Sequence, residues 1–445
     1  MSPFVLDILS TDSDVLIVTP FANDSGFVER YGRSNIQMML PPSEEKLSWF
    51  FRKFLVLSSI FRVQGYWYRW KKVLPYFWAN RHIQFGENGE DKKLSFGHRL
   101  LIDILSPLGY SSKTWRMFDF LHGRHTYRYP ELFEVTTNYQ KVVFIQAASW
   151  GFQDAVMGYW SRTKKWRSIL LPYTTDQLLC NGWLYCNFNK VCVQGACENL
   201  WANSLYFIPE SNIIKLGSIY FRVLRNSLQF LSNFLNLKEK ENLVIFYAGV
   251  DSVYFPIEEE IQTIMALESM LSQKIKKDVS IIYRPVSLNT DNLKYFDKIK
   301  LINNITLQDV SSSSIGLNKY IDENVEHKIQ ELIYSLNQAD IFIMSIFTSL
   351  ALEAAVVGLP VISYFPLDNK ILKNRKSNLL FVNELYNGLN NVPKAQSLEE
   401  LFTLVSKVID ENDFVDNIIS SIMSDWDYQT IDFENTFSSI LFSES

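Results

Sequence analysis

Glycine, proline and cysteine are all scarce in this chain of 445 residues. It contains 17 Gly and 14 Pro, about 7% together against roughly 12% in average proteins, which excludes collagen-like and low-complexity classes. Only 4 Cys are present, without the closely spaced Cys pairs typical of structural zinc sites. The 32 Phe, 22 Tyr and 11 Trp supply enough apolar surface for a large core, which argues against disorder.

Long hydrophobic runs and a basic leader are also missing. No stretch of about 18 uncharged apolar residues occurs, so we expect no transmembrane helix. The chain begins MSPFVLDILSTDSD, which is acidic and lacks the cationic n-region of a signal peptide. We therefore expect a cytoplasmic protein that would meet a membrane only at its inner face.

The charge is divided unevenly along the chain. Residues 1–225 have a net charge of +8 and residues 226–445 have −13. The charged stretch 237–242, LKEKEN, has no apolar periodicity and lies close to the point where the net charge changes sign. It is therefore the best candidate for a linker between two domains. The predicted parts are an N-terminal α/β domain 1–236, a second α/β domain 243–415 and a C-terminal helical segment 416–445.

Short apolar strands alternate with helical stretches in both halves, which predicts the α/β class with mainly parallel sheets. In the second half the alternation is typical of a doubly wound sheet. A last helical stretch, about 414–443, is expected to pack across both domains. The main predicted strands are Val15–Thr19, Val142–Ile145, Ser168–Leu171, Lys190–Val193, Ile213–Leu216, Leu243–Tyr247, Val279–Tyr283 and Pro360–Tyr364.

The most informative segment runs from Ala339 to Tyr364. An apolar strand leads into a turn with Thr348 and Ser349 at a helix start, where free N–H groups and the helix dipole favour an anion. Glu353 lies four residues after Ser349, one turn further along the same face. The hydroxyls would bind a diphosphate and the carboxylate a ribose diol. Simple capping by Ser349 is the alternative.

This segment resembles the second domain of GT-B-fold glycosyltransferases, in particular the surface or capsular polysaccharide and CDP-glycerol transferase-like proteins. These relatives have a strand, a Ser/Thr pair, Glu-Ala, and Gly-x-Pro before the next strand. They also often have Arg-Pro-His after an earlier strand, where this chain lacks the His. The matching residues are Thr348-Ser349, Glu353-Ala354, Gly358-Leu-Pro360 and Arg284-Pro285.

The resemblance implies two Rossmann-like domains that face a cleft, with a nucleotide-sugar donor bound to the second. It implies phosphate binding by Arg284, Thr348 and Ser349, ribose binding by Glu353, and a nucleotide-facing loop at Gly249. No Asp-x-Asp metal signature occurs where it would be needed, so we expect no metal and no other cofactor. Arg284 and the helix N-terminus would then meet the charge of the leaving diphosphate.

The first domain would hold the acceptor, a surface-polysaccharide or lipid-linked saccharide, and a catalytic base. The segment TDQLLCNG resembles a Trp-Asp-Asn-Leu-x-x-x-Gly motif of the relatives at Asp176 and Gly182, although the Trp and Asn are absent. Asp24 is a second candidate base, because it follows the first strand, where open α/β sheets bind ligands. Asn23–Gly26 also fits an Asx turn.

Two further features of the first domain have more than one interpretation. His122 and His125, in His-Gly-Arg-His, could line an acceptor or phosphate pocket or could be structural. Residues 46–78 contain 12 aromatic residues interleaved with 7 Lys and Arg. Such a stretch could contact an anionic membrane, or could form a core helix whose cations snorkel. Nucleic-acid binding is the least favoured interpretation of this stretch, because the net charge of the chain is −5 and no nucleic-acid-binding motif occurs.

Three functions remain open from the sequence. The favoured one is metal-independent transfer of a sugar, or less strongly of a glycerol-phosphate-like group, from a nucleotide-linked donor to a saccharide acceptor. A nucleotide-sugar epimerase or hydrolase of the same fold would consume the donor alone. A non-catalytic saccharide-binding descendant would fit the missing His after Arg284-Pro285, but the retained Thr348, Ser349 and Glu353 oppose it.

Overall fold

A computed structural model shows two compact units, each of the α/β class. The first unit comprises Met1–His82, Leu94–Ile219 and Asp427–Ser445, and the second comprises Ile83–Lys93 and Tyr220–Trp426. The structure describes residues 8–10, 13–19, 21–41, 49, 53, 68, 82–85, 91–110, 134, 136–146, 161, 164–172, 188–204, 206, 208–219, 221–222, 224–225, 242–249, 257–275, 278–285, 299, 302–308, 332–345, 350–364, 392–428 and 431–442.

Among the residues that the structure describes, eight short strands precede residue 220. They are β1 (Val15–Val18), β2 (Ile36–Met39), β3 (Ile83–Phe85), β4 (Asp91–Lys93), β5 (Val143–Gln146), β6 (Arg167–Leu170), β7 (Lys190–Val193) and β8 (Ile213–Lys215). In the first unit, β5, β6, β7 and β8 form a parallel sheet in chain order, and β1 and β2 form a separate parallel pair. The antiparallel hairpin of β3 and β4 groups with the second unit.

The predicted strands of the first half are confirmed, with ends shifted by one residue at most sites. They form because their apolar runs are buried: Ile169 and Leu170 of β6 and Val193 of β7 have no exposed surface. Before residue 220, this unit contains the helices α1 (Ser25–Tyr31), α2 (Phe96–Tyr110) and α3 (Ala196–Ser204) within the described ranges.

The second unit contains a six-stranded parallel sheet. Its strands are β9 (Leu243–Ala248), β10 (Val279–Arg284), β11 (Ile305–Leu307), β12 (Ile341–Met344), β13 (Val361–Tyr364) and β14 (Lys394–Ala395). Their order across the sheet is β11-β10-β9-β12-β13-β14. Numbered from β9, this is 3-2-1-4-5-6, the Rossmann order. The predicted doubly wound fold of this half is therefore confirmed.

Amphipathic helices cover this sheet. They are α4 (Ile257–Lys274), α5 (Leu350–Val356), α6 (Leu398–Asp410) and α7 (Asn412–Trp426). In α4, Ile261, Ile264, Leu267 and Leu271 are buried at helical spacing against the sheet. Glu258 and Glu259 in its first turn and Lys274 in its last turn complement the helix dipole.

The last predicted helical stretch is divided in two and serves both units. It consists of α7 in the second unit and α8 (Phe433–Phe442) in the first. Between them, Asp427 Oδ1 accepts a hydrogen bond of 2.9 Å from the Ser218 N–H. Phe433 and Phe437 are buried in the same cluster as Ile169 of β6, so the chain crosses back as expected. None of the helices among the described residues combines the length and apolar content needed to cross a bilayer.

Candidate functional site

The sheet of the second unit reverses its winding direction between β9 and β12. The chain moves outward from β9 through β10 to β11, then restarts beside β9 with β12 and moves the other way. Ala248 pairs with both Arg284 and Met344, so the three strands end level. Connections that diverge from neighbouring strands leave a crevice at the carboxyl ends, which is where such sheets bind ligands. We call this region, marked by Gly249, Arg284 and Ser345, the switch-point edge.

Gly249 follows β9 at a point where three elements converge. Its N–H donates a 2.8 Å hydrogen bond to the carbonyl oxygen of Arg284. A Cβ here would lie 3.0 Å from Glu260 Oε2, 3.1 Å from Pro285 Cα and 3.1 Å from Tyr283 Cε2. Ordinary carbon contacts are about 3.5–4.0 Å. Glycine therefore fits this position because the backbone approaches its neighbours too closely for any side chain.

A buried polar network adjoins Gly249. The Tyr283 hydroxyl donates to Glu260 Oε2 at 2.6 Å, and the Tyr247 and Ser345 hydroxyls are hydrogen-bonded at 2.5 Å. Glu260 is 1% exposed. Burial, and then the nearby Glu260 carboxylate, raises the pKa of both tyrosines, so they keep their protons. The network joins β9, β10, β12 and α4 at the strand ends and holds the switch-point edge in place.

Arg284 is the last residue of β10 and is half-buried. Its Nη1 donates to Gln308 Oε1 at 3.1 Å, and Gln308 Nε2 donates to Ser335 Oγ at 2.9 Å. This chain of hydrogen bonds orients a planar cation at the carboxyl edge, where it is suited to phosphate oxygens. The sequence pointed to Arg284 but not to Gln308, a polar residue directly after a short strand, or to Ser335, a polar residue in the helical stretch before β12.

Glu353 lies in the first turn of α5, the helix that follows β12. It is half-buried, and its Oε2 atom is fully buried. The helix stops near Gly358, whose φ of +87° is in the left-handed region that glycine favours. Thr348 and Ser349 lie outside the described residues, so their predicted role stays a prediction. The helical neighbours that pack α5 against the unit are Ala351, Leu352, Ala354 and Ala355.

An open depression of about 350 Å³ lies at the opposite, amino edge of the same sheet. It is lined by residues that precede the strands, among them Asn242, Asp340 and Pro360. Asp340 Oδ2 accepts a 2.8 Å hydrogen bond from the Val244 N–H, which satisfies a donor near the start of β9. Ligands of open α/β sheets bind at strand ends rather than strand starts, so we assign no substrate to this depression.

In the first unit, Asp24 follows β1 and caps α1. Its Oδ1 atom accepts a 2.9 Å hydrogen bond from the Phe27 N–H, and its backbone is extended, as in an N-cap. The structural alternative to catalysis at Asp24 is thus a helix N-cap, in place of the Asx turn that the sequence suggested. The role of Asp24 as a catalytic base stays a prediction, and one carboxylate oxygen is already engaged by the helix.

Buried polar side chains mark the carboxyl edge of the four-stranded sheet. Gln146 ends β5 and is 6% exposed, and its amide has no hydrogen-bond partner among the described residues. Gln194 follows β7 and donates from Nε2 to the Pro172 carbonyl at 2.9 Å. Glu198 Oε2 accepts from the Gln194 N–H at 2.6 Å. Sequence reasoning missed these residues, because an isolated Gln after a strand belongs to no motif.

Other predicted features fall wholly or mostly outside the described residues. Asp176, His122 and His125 lie outside the described residues. So do residues 46–78, except at three positions. Of the cysteines, the structure describes the buried pair Cys192 and Cys197. Within the described ranges, no three His, Cys, Asp or Glu side chains are grouped so that they could hold a metal ion.

No protein-family model matches the sequence, and no curated protein sequence matches it. Solved structures resemble it at low identity. The wall teichoic acid polymerase TagF is 14% identical, with 57% of each chain covered and a TM-score of 0.37. In another TagF structure, with CDPG soaked in, the match covers 55% of that chain. This chain thus spans little more than half of the polymerase's length.

Two further matches cover more of the chain. A UDP-GlcNAc 2-epimerase from Neisseria meningitidis, bound to UDP-GlcNAc, is 13% identical, with 96% of this chain and 97% of that chain covered at a TM-score of 0.43. S. aureus MnaA, solved with UDP, is 9% identical, with 68% and 73% covered at a TM-score of 0.39. At these TM-scores the likeness does not identify the chain with any of the three.

Proposed function

We propose that this chain is a nucleotide-sugar-dependent glycosyltransferase whose second unit binds the nucleotide at the switch-point edge. The observation that carries the proposal is the winding reversal between β9 and β12. It brings Gly249, which has no side chain, and the cation of Arg284 to the carboxyl side, and the helix that carries Glu353 is the next described element after β12. A nucleoside diphosphate has the matching chemistry: an anionic diphosphate and a ribose diol.

Each residue would then have a separate task. Arg284, held by Gln308, would bind the diphosphate and stabilise the charge that develops on it as the sugar leaves. Glu353 would accept hydrogen bonds from the ribose hydroxyls. Thr348 and Ser349 would add hydroxyl donors to the phosphates. Arg284 and Glu353 already lie on β10 and α5 of the second unit, which favours binding without large rearrangement.

The first unit would bind the saccharide acceptor and supply the base. Asp176 or Asp24 would remove the proton from the attacking hydroxyl. Gln146 and Gln194 are uncharged amides at the carboxyl edge of the sheet, and such groups hydrogen-bond saccharide hydroxyls as both donor and acceptor. The predicted membrane contact through residues 46–78 would suit a lipid-linked acceptor.

Calorimetric titration with UDP, GDP, CDP and inorganic diphosphate tests the nucleotide site. Arg284→Gln should weaken the binding of nucleotides and of diphosphate alike. Glu353→Gln should weaken nucleotide binding by at least about tenfold, because one or two hydrogen bonds to the ribose are lost. It should leave the affinity for diphosphate unchanged. Glu411→Gln is the matched control, because Glu411 is exposed and follows the end of α6.

The proposal fails if none of the three nucleotides binds, or if Glu353→Gln binds them as Glu411→Gln does. Transfer itself is tested by incubating the protein with nucleotide-sugars, with and without a saccharide acceptor. Release of free sugar or of an epimer in the absence of acceptor would contradict transfer and favour the hydrolase or epimerase alternative.

A further inference from the structure

Helix α2 of the first unit presents a continuous apolar stripe to solvent. Four of its residues recur every fourth position and a fifth lies beside them, so they share one side of the helix over about 18 Å. The opposite side faces inward, with Ser106 fully buried and Ile102 half-buried. The stripe consists of Phe96 (74% exposed), Leu100 (50%), Leu101 (51%), Ile104 (51%) and Leu108 (48%).

The size of the stripe limits what can cover it. Its exposed apolar surface is on the order of 500 Å², as large as the largest patches on typical monomers, which are often functional. A standard protein interface buries about 800 Å² on each partner. The stripe alone is therefore too small for a stable dimer but is of the right length and shape for a helix that lies in a bilayer surface.

The charge of the surrounding sequence favours an anionic surface over a second copy. Residues 46–128 contain 15 Lys and Arg against 5 Asp and Glu, a net charge of +10. Two copies of the chain would each carry this basic stretch, and like charges repel, whereas an anionic lipid surface attracts it. Asp103, the acidic residue of the helix, contacts His82, with Oδ1 3.1 Å from Nε2.

Two aromatic rings support a lipid surface. Phe96 and Trp49 are the most exposed aromatic side chains among the described residues, at 74% and 70%. Each has a cation nearby: the Arg99 guanidinium is 6.0 Å from the Phe96 ring centre, and Lys53 Nζ is 5.9 Å from the Trp49 ring centre. Exposed aromatic rings with adjacent cations are typical of side chains at the headgroup level of a bilayer.

We propose that α2 is an in-plane membrane-contact helix whose apolar stripe enters the headgroup region of an anionic bilayer. The stripe supplies apolar burial, and the basic stretch supplies attraction to acidic headgroups. Neither contribution depends on nucleotide binding or on transfer, so this inference and the proposed function can fail separately.

Vesicle flotation of the full chain tests the inference, with phosphatidylcholine alone and with a phosphatidylcholine–phosphatidylglycerol mixture. The test variant is Leu100→Gln/Ile104→Gln, and the matched control is Leu200→Gln/Met265→Gln, two exposed apolar residues on other helices. We expect the wild type and the control to float with the anionic vesicles. The test variant should bind the anionic vesicles at least about tenfold more weakly. Added salt should weaken vesicle binding by the wild type.

Three results would overturn the inference. One is that the wild type does not float with anionic vesicles, and another is that the test variant floats as well as the control. The third comes from light scattering without lipid: a concentration-dependent dimer that the test variant abolishes would show that a second copy covers α2. Far-ultraviolet circular dichroism of both double variants checks that each is folded, as expected for exposed substitutions.

Discussion

Replacing Gly249 by alanine should lower the free energy of unfolding by about 1–3 kcal/mol, the usual cost of adding a methyl group to a packed site. The new Cβ would meet Glu260 Oε2 at 3.0 Å, and Pro285 Cα and Tyr283 Cε2 at 3.1 Å. None of these atoms can move away easily. The first belongs to a buried carboxylate, the second is backbone, and the Tyr283 ring is held by its 2.6 Å hydrogen bond to Glu260.

The same substitution should also weaken nucleotide binding, because the strand ends must shift to admit the methyl group. Urea denaturation gives the stability change, and calorimetry at a temperature where the variant is folded gives the affinity change. Gly97→Ala is the control: apart from its chain neighbours and its own helix backbone, no described residue has an atom within 4 Å of the added Cβ. Alanine in a helix should stabilise the protein by up to about 1 kcal/mol.

A Gly249→Ala protein as stable as the wild type would refute the reasoning, since the close approach would then be relieved at no cost. Equal destabilisation by Gly97→Ala would also refute it, because the loss could no longer be assigned to crowding at the switch-point edge.

Three further predictions concern other parts of the fold. Asp427→Ala should cost about 1.5–3 kcal/mol in urea denaturation by removing the buried acceptor for the Ser218 N–H, and Asp427→Asn should cost less; equal losses would contradict the hydrogen-bond argument. Folding raises the pKa values of Tyr247 and Tyr283 above the reference of 10.0. The two protonated phenols therefore contribute their full stabilisation of the folded protein below pH 10.0. This contribution is lost as the pH rises further, because the phenols then ionise in the unfolded chain. The fall in stability above that pH should be shallower in Tyr247→Phe/Tyr283→Phe, and an unchanged slope would contradict it. Burial raises the pKa of Cys192 to about 12, so iodoacetamide should leave it unmodified at neutral pH until the protein unfolds; mass spectrometry of the Cys192 peptide would expose rapid labelling in the folded protein.

Much of the architecture followed from local pattern. The runs of β-branched and apolar residues predicted the strands, since a strand buried on both faces needs few polar residues. The family resemblance pointed to Gly249 and Arg284, and the structure has Gly249 directly after β9 and Arg284 at the end of β10, at the carboxyl edge of the sheet.

Contacts between distant residues could not be predicted in this way. Glu260 reads as an ordinary acidic residue in a first helical turn, and only the fold brings it to Tyr283, 23 residues later. Gln308 likewise orients Arg284 only because the sheet brings their two strands side by side. At the break between α7 and α8, Asp427 contacts Ser218, 209 positions away. Local sequence carries no signal for such pairings.

The return of α8 to the first unit has a consequence for synthesis on the ribosome. Of the nine buried residues in the first unit's core cluster, four come from α8: Phe433, Phe437, Ile440 and Leu441. The ribosome makes these residues only after the whole second unit. The second unit can therefore complete its sheet first, while the first waits with part of its core exposed to water. Folding order is then the reverse of chain order, and the first unit should be the one that depends on chaperones during translation.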